Sequence, residues 1–346
     1  MAGWAHGGGD ARVIAGKVDG LAALTLRGAA LQVTVVPELG GKIVSLRRIT
    51  PDGTEDEALW RNPRRQLALP TYGGAFDAGD ISAFDECFPG IGAGPYPAAA
   101  WTGCANPDHG EVWALPWQVE AREDAIRMSV HGVRFPYLLE REIAFVGPDC
   151  LALRYRVTNH AAVAMPYVWS AHPLFAVTPT TRIVLPSGVA EVTIDSSVGD
   201  RLGQPYQRIG WPHTVDRAGQ TVDLSRISPG AGHGDKLYAT TPPGEGWCAL
   251  HDEASGAYVG FAFDPVQVPY IGVWINQDGW PADGPSCFNV AIEPCTGWPD
   301  NLERAMAEGT MRSLPPHGSH TWELRLTAGY APVGGLTPWR WAEDPG

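Results

Sequence analysis

The chain has 346 residues, 44% of them hydrophobic and 18% charged, with a formal net charge of −13. This length and apolar content allow a large buried core and exclude a disordered chain. The negative field argues against nucleic acid and anionic membrane as partners and suits a neutral small molecule. No apolar run reaches membrane-spanning length.

Residues 1–18 begin with the Gly-rich stretch Met1-Ala-Gly-Trp-Ala-His6-Gly-Gly-Gly9 and read as a loose arm without the apolar core of a secretory signal. Strand signals follow. Leu31, Val33 and Val35 alternate with Gln32 and Thr34, and Glu38-Leu-Gly-Gly41 turns into Lys42–Arg47. Residues 117–121 and 126–130 flank Glu123-Asp124 as a hairpin; 140–145 and 151–157 flank Gly147-Pro-Asp149. Residues 247–251 and 258–263 flank Ala254-Ser-Gly256. Near the end Trp322, Leu324 and Leu326 alternate with Glu323 and Arg325. Asp300–Gly309, with an acidic start and a Gly stop, predicts a helix of about two turns. There is no βαβ alternation, no repeat and no linker. The pattern predicts an all-β chain, a large antiparallel β-sandwich forming a single domain over residues 19–346, with long loops at 60–116 and 186–236.

Six cysteines lack C-x-x-C or framework spacing, which predicts reduced thiols and a cytoplasmic protein. The sequence holds no G-x-S-x-G, H-E-x-x-H or P-loop, and His109 with Glu111 is too little for a metal site. No metal and no cofactor is expected.

Candidate chemistry lies where an ionisable residue ends an apolar stretch beside a turn. Glu293, in Asn289-Val-Ala-Ile-Glu-Pro294, is placed as a general base: the strand fixes it and Pro294 ends the ladder. His172, in Ser170-Ala-His-Pro-Leu-Phe175, is either a buried structural His or a proton donor kept near a useful pKa by apolar walls. His109, after Asp108, is either a turn residue or a ligand contact. Asp85 and Glu86 are adjacent carboxylates between aromatics, one structural and one facing substrate. Asp235 leads into an apolar strand. Arg61, Arg64 and Arg65 form a basic knot around Pro63, either solvated or a clamp for hydroxyls or anions. Trp101, Trp169, Trp274 and Trp280 are candidates for stacking on a sugar face, although core packing explains most tryptophans.

Taken in order, Pro37–Ile43, Phe84-Asp-Glu-Cys-Phe-Pro89, Asp108-His109-Gly110, Ser170–Phe175, Gly234–Tyr238 and Ile292-Glu293-Pro294 resemble the landmarks of the aldose 1-epimerase (galactose mutarotase-like) superfamily, over about residues 20–330. Two departures stand out: Ala171 precedes the His where relatives often carry Asn, and the early-loop Arg has two possible counterparts, Arg61 and Arg64. The resemblance implies a β-supersandwich with a monosaccharide cleft and cofactor-free isomerase activity. It implies Glu293 as base and His172 as acid in ring opening, with His109, Asp235 and an Arg holding hydroxyls. The protein is expected to act as a monomer or homodimer. Three other readings stay open. One is a sugar-binding protein without turnover. A second is a glycoside hydrolase or lyase pairing Glu293 with Asp85 or Glu86. The third is a mutarotase for anionic sugars that uses the Arg knot.

Overall fold

In the computed structural model, residues 11–50, 52–242, 244–281 and 287–332 are described. Two antiparallel sheets pack face to face. The larger has twelve strands among the described residues. From one edge it runs Arg12–Val18, Leu21–Arg27, Leu31–Val36, Lys42–Ile49, Phe84–Cys87 and Ser170–Pro173. It continues through Phe288–Cys295, Tyr270–Gln277, His233–Thr240 and Glu191–Ser197 to Arg208–Gly210, with Glu55–Glu57 added beside Lys42–Ile49. The smaller has eight strands, with Ser319–Tyr330, Cys150–Asn159 and Tyr137–Gly147 at its centre. The sequence-predicted hairpins are all present in register.

Three expectations need correction. Residues 12–18, placed in a loose arm, pair along their whole length with Leu21–Arg27; residues 1–10 lie outside the described residues. The stretch 60–116 contains Phe84–Cys87, an interior strand of the large sheet. The stretch 186–236 contains Glu191–Ser197, Arg208–Gly210, His213–Val215 and Thr221–Asp223. These strands are short, and Phe84–Cys87 is buried on both faces, so neither length nor alternation betrays them.

The helix Leu302–Glu308 is capped as its sequence demands. The Asn301 side chain accepts from the Arg304 amide at 2.8 Å, and Gly309 closes the helix in the left-handed region at φ 70°.

Side-chain alternation divides the large sheet into two chemistries. Val290 and Ile292, Ile271, Val273 and Ile275, and Leu237 and Ala239 join the core between the sheets. The intervening residues of the same strands face outward beneath the loops, and there the cleft forms.

Candidate active site

Three neighbouring strands supply the floor. Phe288–Cys295 turns Asn289, Ala291 and Glu293 to the loop side; Tyr270–Gln277 turns Gly272, Trp274 and Asn276; His233–Thr240 turns Gly234, Lys236 and Tyr238. His172 joins them from Ser170–Pro173, opposite Asp85. Loops close the walls with Phe76, Ile81, His109, Trp280 and Asp300 around a cleft of about 370 Å³.

Glu293 is wholly buried, directly behind His172 and Lys236, both of which line the cleft. Its Oε2 is bonded by the Lys236 ammonium, and Ser170 Oγ lies 3.4 Å from the same oxygen. Its Oε1 has no hydrogen-bond partner and lies 3.9 Å from His172 Nε2. Burial pushes the Glu293 carboxyl up; Lys236 opposes this and Asp300 adds to it. Burial works against the charge on Lys236, but Glu293 and then Asp300 outweigh it and the ammonium is held protonated.

His172 is buried and its Nδ1 has no partner. Burial, with positive charge from His109, Lys236 and Lys42, drives its pKa well below the ordinary value. His109 stands edge-on to it, ring centroids 4.8 Å apart, and stacks on Phe76 at 3.9 Å. Asp108 anchors that loop: Oδ1 meets His109 Nδ1 at 2.9 Å, Oδ2 accepts from the Phe76 amide at 2.7 Å, and its carbonyl accepts from Trp113 Nε1 at 2.8 Å. Gly110, at φ 75°, permits the turn; a Cβ there would sit 2.2 Å from the Phe88 carbonyl oxygen.

Asp85 lies on the cleft side of its strand but is buried beneath it, with Oδ2 3.1 Å from Lys42 Nζ. Lys42 also bonds both oxygens of Asp80, at 2.7 and 2.8 Å. Burial raises the Asp85 carboxyl to about 6 against the pull of Lys42. At another edge of the cleft, Tyr238 donates its hydroxyl to Asp300, whose amide donates to Asp195 Oδ1 at 3.2 Å. Burial, then the charge of Asp300, pushes Asp195 up to about 8.

Of the residues singled out from sequence, His172, His109, Trp274 and Trp280 line the cleft, Glu293 lies directly behind it, and Asp85 lies under it. Trp280 stands at right angles to Trp274, with centroids 5.9 Å apart. The others sit elsewhere. Glu86 projects from the opposite face of its strand into the inter-sheet core, accepting from Arg141 at 2.6 Å and from Tyr155 and Trp169 at 2.8 Å each. Asp235 is one residue out of phase: its carboxylate is taken by Ser197 Oγ at 2.6 Å and by Arg201, and its neighbour Lys236 faces the cleft. Arg61 pairs with Asp19 at 2.6 Å on an exposed loop. Arg64, also exposed, is not among the residues lining the cleft, and Arg65 is bonded to the carbonyls of Asp77 and Gly79. Trp169 is in the core, and Trp101 packs against it.

Lys236, Asn289 and Asp300 line the cleft and were not found from sequence. Lys236, one of three lysines, carried a usable signal: it follows Asp235 on the same strand, where period 2 sends one of the pair to each face. Among the described residues no three His, Cys, Asp or Glu are grouped as metal ligands. Among them, too, no helix is long and apolar enough to cross a membrane. Cys87, Cys104, Cys150, Cys248 and Cys295 are free thiols.

No protein-family model matches the chain, and no curated protein matches it. Solved structures do. A galactose mutarotase related enzyme from Lactobacillus acidophilus superposes with a TM-score of 0.64 at 16% identity, covering 89% of this chain and 97% of that one. A galactose mutarotase-like protein from Clostridium acetobutylicum gives 0.62 at 13% identity, covering 93% and 99%. Another from Lactobacillus casei gives 0.56 at 17% identity, covering 89% and 100%. Together with the two antiparallel sheets, these superpositions identify the fold of this chain as galactose mutarotase-like.

Proposed function

We propose that the protein is an aldose 1-epimerase, interconverting the α and β anomers of a monosaccharide by opening and reclosing the ring. The observation that carries this reading is the state of Glu293. One oxygen is fixed by Lys236, and the other is unpartnered and 3.9 Å from His172 Nε2, behind a cleft walled by tryptophans.

O1 and the ring oxygen are both bonded to C1, so two groups a few ångström apart serve both. Glu293 Oε1 takes the proton from O1, the bond from C1 to the ring oxygen breaks, and that oxygen takes a proton from His172. The aldehyde rotates about C1–C2. His172 then withdraws the proton, the ring oxygen attacks the other face of C1, and Glu293 returns its proton to O1. Lys236 orients Glu293 and keeps it charged. His109, with Nδ1 engaged by Asp108, offers Nε2 to a hydroxyl. Trp274 and Trp280 cover the apolar faces of the ring.

Other readings draw less support. Glu293 and Glu86 face opposite sides of the sheet, and Asp85 is engaged by Lys42, so neither makes a convincing carboxylate pair for glycoside hydrolysis. Arg61 and Arg65 are bonded away from the cleft, which weakens an anionic-sugar reading.

The test is the rate of anomer interconversion across a panel of aldoses, by polarimetry or NMR exchange, for wild type and Glu293→Gln. The variant is expected to lose at least about a hundredfold in rate while still binding sugar. Sugar binding without acceleration by the wild type replaces this reading with a binding protein.

The pH profile tests the assignment of roles. Glu293 must be ionised, and its pKa is raised; His172 must be protonated, and its pKa is lowered. Both limbs of the bell therefore move inward, and a narrow optimum with apparent values belonging to the pair is expected. A rate that persists into alkaline solution assigns the proton donor to Lys236 instead, which is held protonated there.

A further inference from the structure

Two asparagines face each other across the cleft floor. Asn276 on Tyr270–Gln277 and Asn289 on Phe288–Cys295 are register partners with side chains on the same face, and both line the cleft. Their situations differ. Asn276 is fully employed within the protein: Nδ2 donates to the Trp280 carbonyl at 2.9 Å, and Oδ1 accepts from the amides of Gly279 and Trp280 at 3.2 and 3.1 Å. It holds Trp280 in place. Asn289 is 1% exposed, and neither its Nδ2 nor its Oδ1 has a hydrogen-bond partner.

Burying a carboxamide with donor and acceptor both unpaired is costly, and folded proteins keep few such groups without a reason. The cleft lining includes Phe76, Ile81 and Leu174, whose side chains offer no hydrogen bond, and no lining residue bonds Asn289. The missing partner comes from what enters the cleft. An amide both donates and accepts, as a hydroxyl does, and it carries no charge to balance a phosphate or carboxylate. Asn289 and Glu293 lie on one face of one strand, four residues apart, a Cα separation of roughly 13 Å at the strand rise. Asn289 therefore faces the end of the cleft away from Glu293.

We propose that Asn289 is a specificity-determining residue that binds a sugar hydroxyl remote from the anomeric carbon. This rests on the sugar-epimerase reading of the same cleft. A residue kept for substrate leaves a particular signature: removing it harms recognition and does not harm the empty protein. Asn289→Leu replaces the amide with an apolar group of similar size. Its thermal stability without ligand is expected to equal or exceed that of wild type. Its kcat/KM for the preferred aldose is expected to fall about ten- to hundredfold, mainly through KM. The deoxy analogue lacking the recognised hydroxyl should be handled alike by both proteins.

The experiment therefore pairs melting curves with kinetics on an aldose and its series of monodeoxy analogues, for wild type, Asn289→Leu and Asn289→Ala. A drop of several degrees in Tm in the leucine variant makes Asn289 a structural residue satisfied by internal water and overturns the inference. An unchanged KM for every sugar also overturns it. Calorimetric titration with the same sugars separates this inference from the proposed reaction. If wild type catalyses nothing yet binds a sugar, and the leucine variant loses binding only where one hydroxyl is present, Asn289 keeps its role and the epimerase reading falls. If wild type accelerates anomerisation but Asn289→Leu does so with the same constants, this inference alone falls.

Discussion

Lys236 and Glu293 form an ion pair buried in the protein, and neither can be removed singly without stranding the other. Lys236→Met is expected to destabilise the fold by about 3–5 kcal/mol, because a carboxylate is left in the interior without its cation. Burial already raises the Glu293 carboxyl, and losing Lys236 raises it further. The folded state then holds its proton more tightly than the unfolded chain, so the stability of this variant should rise as pH falls. Adding Glu293→Gln should recover much of the loss. Urea titrations of the two single variants and the double, at several pH values, check all three statements. Legibility at this scale follows chemistry. Glu293 and His172 are visible in sequence because each stands in an apolar stretch beside a Pro, but Pro294 does not end the ladder as expected: pairing runs on through Pro294 to Cys295. Asp235 draws attention because it leads into an apolar strand, but it faces the other way, since a one-residue phase error on a strand exchanges the faces. Asn289 carries no signal at all. What marks it is the lack of a partner, and partners are set by tertiary structure.

The loop carrying His109 is set by backbone conformation more than by side-chain packing. His109 itself has φ 58° and Gly110 φ 75°, so two successive residues occupy the left-handed region. Gly110→Ala would bring a Cβ to 2.2 Å from the Phe88 carbonyl oxygen in addition to the conformational cost. The expected effect is a stability loss of about 1–3 kcal/mol from the backbone strain, increased by the clash. His109 would be displaced, raising KM as well as lowering the melting temperature. Thermal melts beside sugar titration measure both. Among the elements, the long hairpins and the capped helix are readable because alternation, turn residues and caps agree. Phe84–Cys87 is not, since four residues buried on both faces show no period. Arg12–Val18 is hidden differently: it is a largely exposed edge strand, and its neighbours in sequence are Gly-rich.

At the scale of the molecule, Glu86 ties the two sheets together. It belongs to the large sheet, and it accepts from Arg141 and Tyr155 of the small one and from Trp169. Glu86→Ala is expected to cost about 3–5 kcal/mol by leaving the Arg141 guanidinium buried without its counter-charge. Folded Glu86→Ala should keep a sugar affinity close to that of wild type, because the residue lies on the face away from the cleft. Guanidinium denaturation and a binding titration test the two halves of that statement. A loss of sugar affinity equal to that of a cleft variant would show that the sheets are mechanically coupled to the site.

The floor of the cleft and the core between the sheets are successive residues of the same strands. This makes the protein unequal in its tolerance of change. Substituting Asn289, Ala291 or Trp274 alters the ligand surface and leaves Val290, Ile292 and Val273 packed as before. Drift in specificity by point substitution is therefore open to this chain. Deleting a single residue within Phe288–Cys295 has another consequence: every residue on one side of the deletion changes faces, sending the carboxylate or the carboxamide into the core and valine or isoleucine into the cleft. Descendants of this sequence should differ freely at alternate positions of these three strands and share their lengths.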